Sequence, residues 1–83
     1  MYYNYVLKSK KDGKRYIGFT NDLKKRLIEH NKGLNKSTKN RGPFEIIYYE
    51  ACLNKKDALE RESYLKTMWG NNYLNKRLFN SIK

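Results

Sequence analysis

The sequence predicts an α/β fold: a small three-stranded, mainly antiparallel sheet flanked by helices, in the order β-β-α-β-α-α. Three observations carry that prediction. Two short segments rich in Tyr, Val and Ile bracket a Lys-Asp-Gly turn near the N-terminus, the pattern of a β-hairpin. Apolar residues then recur at helical spacing: Leu23 and Leu27 share a stripe with His30, and Ala58, Leu65 and Trp69 share another. The chain has 83 residues, which fits one domain over residues 1–83 and no second one.

Each element has a local reason. Residues 2–8 alternate, with Tyr3, Tyr5 and Leu7 on one face and Tyr2, Asn4 and Val6 on the other. A turn at residues 9–13 ends on Gly13, free to take positive φ. Residues 14–20 form the second strand. A first helix follows, capped by Thr20 or Asn21, with Asp22 near its positive end and Gly33 as its stop. The loop 33–43 is rich in Lys, Asn, Ser and Thr. Residues 44–51 are the third strand. Asn54 caps a second helix, with Asp57 three residues on. Ala58, Glu62, Leu65 and Trp69 line one side of it, Gly70, Asn71 and Asn72 break it, and residues 73–79 form a short third helix carrying Leu74 and Leu78.

Composition excludes several classes. Nineteen Lys and Arg against eight Asp and Glu leave a net charge of +11, which calls for an anionic partner, nucleic acid ahead of a membrane surface. An A/T-rich coding bias accounts for lysine in place of arginine better than for the shortage of acids. Cys52 is the only cysteine, so an intrachain disulfide and a cysteine-cluster zinc site are excluded, and a reducing, cytoplasmic setting is expected. The longest apolar run, about Ile46 to Tyr49, is far below the roughly 20 residues that span a bilayer, so no membrane role is expected. No basic segment leads into an apolar stretch at the N-terminus, and no signal peptide is expected.

Four features depart from plain packing patterns. Glu62 places a carboxylate within the buried stripe of its helix, either a functional group or a border residue paired with a cation. Arg26 and His30, spaced i, i+4, project from one helix face; together they supply a permanent cation and a proton carrier, as a phosphate site needs. Tyr5 and Tyr16 fall on the same hairpin face, directly opposite each other if the turn is the four residues 9–12. Gly18, two residues after Tyr16, marks a close approach of another backbone or a ligand.

These residues resemble the GIY-YIG nuclease domain, in its small single-domain bacterial branch. Tyr3-Asn4-Tyr5 stands for the first motif, of which only the last tyrosine is kept, and Tyr16-Ile17-Gly18 for the second. Arg26 and His30 complete the run from Tyr16, and Glu62 stands in the segment Ala58-Leu59-Glu60-Arg61-Glu62-Ser63-Tyr64-Leu65-Lys66. The resemblance covers essentially the whole chain. It implies metal-dependent hydrolysis of phosphodiester bonds in DNA, structure-selective or weakly sequence-specific, with DNA favoured over RNA. Glu62 would hold one divalent cation, Mg²⁺ or Mn²⁺, Tyr5 would be the general base, His30 would take the proton onward, Tyr16 would orient Tyr5 or the water, and Arg26 would neutralise the phosphate. Arg26, the metal and His30 are each expected to make Tyr5 easier to ionise. The family's late asparagine falls in the region of Asn71, Asn72 and Asn75. Few acids are available, which suits one metal over two.

Lys36, Ser37, Thr38, Lys39 and Arg41 in the loop, with Lys24 and Lys25 on the first helix, are the expected grip on the nucleic-acid backbone, fixing position without reading bases. Two alternatives stand beside the enzyme: a non-catalytic nucleic-acid-binding module, and a nuclease subunit activated by a protein partner. The grip is tested by salt. Each neutralised phosphate of a duplex contributes about −0.9 to the slope of log affinity against log salt. Lys36, Lys39 and Arg41 together therefore give about −2.7 in a filter-binding or anisotropy titration. A flat dependence would contradict the basic loop.

Overall fold

The computed structural model describes residues 1–80; the last three residues of the expected domain lie outside them. Strands β1 (Tyr2–Ser9), β2 (Arg15–Thr20) and β3 (Phe44–Cys52) form one sheet of order β2-β1-β3, antiparallel throughout. Helices α1 (Leu23–Asn31), α2 (Lys55–Leu65) and α3 (Met68–Arg77) cover it. The element order and fold class are those the sequence predicts.

The central strand explains the layering. Asn4, Tyr5, Val6 and Leu7 are all buried, as a strand covered on both faces must be. Tyr5 and Leu7 pack with Phe44, Tyr16, Ile46 and the α1 residues Leu23 and Leu27. Val6 packs on the other side with Leu65, Leu74 and Leu78 from the α2–α3 layer, joined by Ile17, Ile47, Tyr48 and Tyr73. The pairing slips between Val6↔Tyr48 and Leu7↔Ile46, which leaves Ile47 as an extra residue in β3. This bulge lets Ile47 and Tyr48 both serve the α2–α3 side.

Five expectations are corrected. The hairpin turn falls at residues 10–13, one residue later than expected, closed by the Ser9 N–H donating to the Lys14 carbonyl at 2.9 Å. That shift sets Tyr5 opposite Gly18 and Leu7 opposite Tyr16, so the two tyrosines share a face but are diagonal. β2 starts at Arg15 rather than residue 14, and β3 runs one residue further, to Cys52. Helix α1 is capped by Asp22, whose carboxylate accepts from the Lys25 N–H at 3.0 Å; Thr20 instead accepts from the Asp22 N–H. Asn54 caps α2 as expected, and Gly33 follows α1 with φ 74°.

The fifth correction is the α2–α3 boundary. The chain breaks at Lys66–Thr67, because Thr67 caps a new helix through the Gly70 N–H, at 3.2 Å. Trp69 therefore belongs to α3 and is exposed. Gly70 is inside α3, not a breaker. A Cβ there would fall on the Tyr64 carbonyl oxygen and the Leu65 backbone, so glycine lets α3 start against the end of α2. A polar network ties both helices to β3. Arg61 donates to both oxygens of Glu50, at 2.7 and 2.9 Å, while Tyr48 donates to Glu50 at 2.8 Å and meets the Tyr73 hydroxyl at 3.2 Å.

Gly70→Ala separates two effects. Helix propensity alone would stabilise the variant by about 1 kcal/mol. Overpacking against rigid backbone costs about 1–3 kcal/mol and prevails. Chemical denaturation should show a lower midpoint for G70A; a higher midpoint would mean that the α2–α3 contact is not tight.

Candidate active site

Tyr5 is the centre of the site. Its place on the middle strand buries it to 4% exposure, and its ring lies across Gly18 of the edge strand β2. A Cβ at Gly18 would overlap the Tyr5 ring and hydroxyl, which accounts for glycine in the middle of a strand. The Tyr5 hydroxyl meets His30 Nε2 at 2.9 Å. His30 sits in the last turn of α1, 5% exposed, with its ring edge-on to Tyr5 and Phe44. Its other nitrogen, Nδ1, lies 2.6 Å from the Thr38 hydroxyl oxygen.

Charged groups surround this pair. Arg26, one turn before His30, is half-buried and pairs with Glu29 at 3.3 Å. Glu62 on α2 keeps 20% of its side chain exposed and pairs with Lys66 at 3.3 Å. Burial pushes the Tyr5 phenol above its ordinary pKa; Arg26 opposes that rise, and Glu62 and Glu29 add to it. The expected assistance from Arg26 is therefore present but outweighed by desolvation. Burial holds His30 below its ordinary value, Arg26 adds to that, and Glu29 opposes it. At neutral pH the pair is a neutral phenol beside a neutral imidazole.

Tyr16 joins the same cluster edge-on to Phe44, with ring centroids 5.5 Å apart. Its hydroxyl oxygen is buried and has no hydrogen-bond partner among the described residues; of the two partners expected for Tyr16, Tyr5 or the attacking water, Tyr5 is bonded to His30 instead. Arg15 donates to the side-chain oxygens of Asn71 and Asn75 at 2.6 and 2.8 Å, and Asn72 is exposed.

The basic surface is only partly as expected. Lys24, Lys25, Lys36, Ser37, Lys39 and Arg41 are exposed. Arg41 pairs with Asp12 at 3.6 Å, and the Ser37 hydroxyl donates to Asn35 at 2.7 Å. Thr38 is the correction: at 1% exposure it faces inward on His30 and is not available to a phosphate.

Two residues are unexpected beside Tyr5 and His30: Glu29, outside the expected set, and Thr38, expected in the phosphate grip instead. Glu29 stands i, i+3 from Arg26, a spacing that signals an ion pair. Thr38 carries no such signal, since only the path of the loop brings it to His30. For a metal, no group of three His, Cys, Asp or Glu side chains is clustered among the described residues. A single, partly exposed carboxylate such as Glu62 nevertheless fits Mg²⁺, which keeps several waters and takes substrate oxygens rather than a full protein cage.

A model of the GIY-YIG catalytic domain matches residues 1–77 of the chain. A UPF0213 protein of Clostridium perfringens is 43% identical over 84 residues, covering 100% of this chain and 89% of its own. A UPF0213 protein of Staphylococcus saprophyticus is 43% identical over 67 residues, covering 80% of each. The solution NMR structure of a UPF0213 protein from Bacillus halodurans superposes with a TM-score of 0.56 at 32% identity, covering 92% of this chain and 84% of that one.

The packing of Tyr5 on Gly18 has a direct test. Gly18→Ala must push the Tyr5 ring off β2 or force the strands apart, at a cost of about 1–3 kcal/mol. NMR spectra of G18A should show displaced Tyr5 and His30 ring signals together with a lower denaturation midpoint. Unchanged ring signals would contradict the contact.

Proposed function

Because the chain belongs to the GIY-YIG catalytic domain family, we propose that it is a metal-dependent endonuclease that hydrolyses phosphodiester bonds in DNA, structure-selective or weakly sequence-specific. One observation supports this reading above the others: the buried Tyr5 hydroxyl is 2.9 Å from His30 Nε2, within the fields of Arg26 and Glu62.

The pair resolves a difficulty with tyrosine as a base. A phenol with a raised pKa is not ionised near neutral pH, so it must lose its proton as it takes another. Neutral His30 is the acceptor. As an attacking water passes a proton to the Tyr5 oxygen, the Tyr5 proton moves to Nε2, and the hydroxide so formed attacks phosphorus as the P–O bond to the leaving oxygen breaks. Burial and Arg26 disfavour the imidazolium left behind, and Glu29 partly offsets them. Tyr16 orients the water. Arg26, half-exposed and paired with Glu29, binds the phosphoryl oxygens, where charge grows in the transition state. Glu62 would hold one Mg²⁺, or Mn²⁺ in its place, which when bound supplies polarisation of the phosphate and stabilisation of the leaving oxygen. Lys24, Lys25, Lys36, Lys39 and Arg41 hold the flanking backbone.

A second reading, a nuclease subunit activated by a protein partner, has its own support. Arg26 and Glu62 are both in ion pairs within the free chain, with Glu29 and Lys66. One experiment separates the two. Wild type, Glu62→Ala and Tyr5→Phe are incubated with branched, nicked, flap and single-stranded DNA, and with matched RNA, in Mg²⁺ or Mn²⁺. The enzyme reading expects metal-dependent cleavage of DNA that falls at least about 100-fold in both variants. Binding without cleavage by wild type favours the partner-activated subunit. Equal trace cleavage by all three proteins contradicts catalysis by this site.

A further inference from the structure

Thr38 sits in the loop 32–43 between exposed Ser37 and Lys39, yet it is among the most deeply buried side chains of the protein, at 1% exposure. Burying a hydroxyl is costly unless it is bonded, and valine would fill the same space at no such cost. The hydroxyl is bonded twice: its oxygen lies 2.6 Å from His30 Nδ1 and 3.5 Å from the Asn35 carbonyl. The loop that carries it is clasped to the hairpin turn. The Ser9 hydroxyl donates to the Arg41 carbonyl at 2.6 Å, and the Lys10 N–H donates to the Pro43 carbonyl at 2.9 Å. At the loop's end, the Phe44 N–H donates to the Asn31 side chain at 2.7 Å, which holds it to α1.

A neutral imidazole has one N–H, and the hydrogen bond at one nitrogen decides the role of the other. Two arrangements are chemically available. If Thr38 donated to Nδ1, Nε2–H would donate to the Tyr5 oxygen, and the buried Tyr5 proton would then lose its acceptor, while the Asn35 carbonyl keeps the Thr38 N–H at 3.2 Å either way. If Thr38 donates to Asn35, Nδ1–H donates to Thr38 and Nε2 accepts from Tyr5, and every hydroxyl proton has a partner. Resting on the reading of His30 as the acceptor of the Tyr5 proton, we propose that Thr38 is a positioning residue: its hydroxyl fixes His30 in the Nδ1–H tautomer and leaves Nε2 bare toward Tyr5. The basic loop thus has two faces, with Lys36 and Lys39 outward and the tautomer-setting hydroxyl inward.

The groups that bear on His30 come from every element around it: Arg26 and Glu29 from α1, Tyr5 from β1, the uncharged Phe44 from β3, and Glu62 of α2 through its field on Tyr5. His30 is the only histidine of the chain, so its ring nitrogens can be observed without assignment ambiguity. Long-range ¹H–¹⁵N NMR at about pH 8, where the ring is neutral, reads the tautomer directly. Wild type and Thr38→Ser should show Nδ1–H as the dominant form. Thr38→Val should shift the tautomer ratio toward Nε2–H by roughly tenfold and lower single-turnover cleavage about 10-fold or more with little change in KM, restored in Thr38→Ser. An Nε2–H tautomer in wild type overturns the proposal whether or not the valine variant folds. So does an unchanged ratio in a folded Thr38→Val. The tautomer is read without substrate, so absence of cleavage with Nδ1–H present would count against cleavage by the isolated chain and not against the assignment of Thr38.

Discussion

The hydrogen bond between the Tyr5 hydroxyl and His30 Nε2 is the contact around which the domain is arranged. It joins the central strand to the helix that covers one face of the sheet, and both partners are nearly sealed from solvent. Neither can be moved independently. Gly18 must lack a side chain for the Tyr5 ring to lie where it does. The turn at residues 10–13 must set the register that brings Gly18 opposite Tyr5. The long loop must return across α1 to place Thr38 on the far nitrogen of His30. Phe44, where that loop becomes β3, packs edge-on to both His30 and Tyr16 and closes the cluster.

The other face of the sheet shows how a thin core is supplemented. Small domains bury a modest share of their surface, and here Val6, Leu65, Leu74 and Leu78 form a narrow apolar contact. Beside it, the Arg61 guanidinium grips Glu50 with two hydrogen bonds and lies over the rings of Tyr64 and Tyr73. Arg61 holds Glu50 below the usual carboxylate range, with Tyr48 acting in the same direction. Paired in this way, Glu50 is committed to structure, which leaves Glu62 and Glu29 as the acids near Tyr5.

Much of this was legible in the sequence because it is local. Alternation located the hairpin, Asn54 announced α2, Gly33 ended α1, and the break that Glu62 makes in an apolar stripe singled out a carboxylate whose field reaches Tyr5. What escaped was set by contacts distant in sequence. Gly70 looks like a helix breaker until the end of α2 is seen packed against it. Thr38 looks like one more polar loop residue, because nothing in its neighbourhood along the chain says that it turns inward. The direction of the Tyr5 shift escaped for a related reason: the sequence reveals the nearby cation but not how far burial outweighs it.

In the proposed mechanism, catalysis depends on a neutral His30 and not on a freely ionised tyrosine. His30 is held below its ordinary value of about 6.5, so its neutral form is lost only as pH falls below that lowered value. Tyr5 is held above its ordinary value of about 10 and stays protonated across the working range. The most direct test is the pH dependence of single-turnover DNA cleavage at saturating Mg²⁺. The rate should rise with pH through a single step below about 6.5 and then stay level to about pH 9, since His30 is already neutral there. A rate that keeps climbing tenfold per pH unit toward pH 10 would show that the phenolate itself must form first, and would contradict proton transfer from Tyr5 to His30.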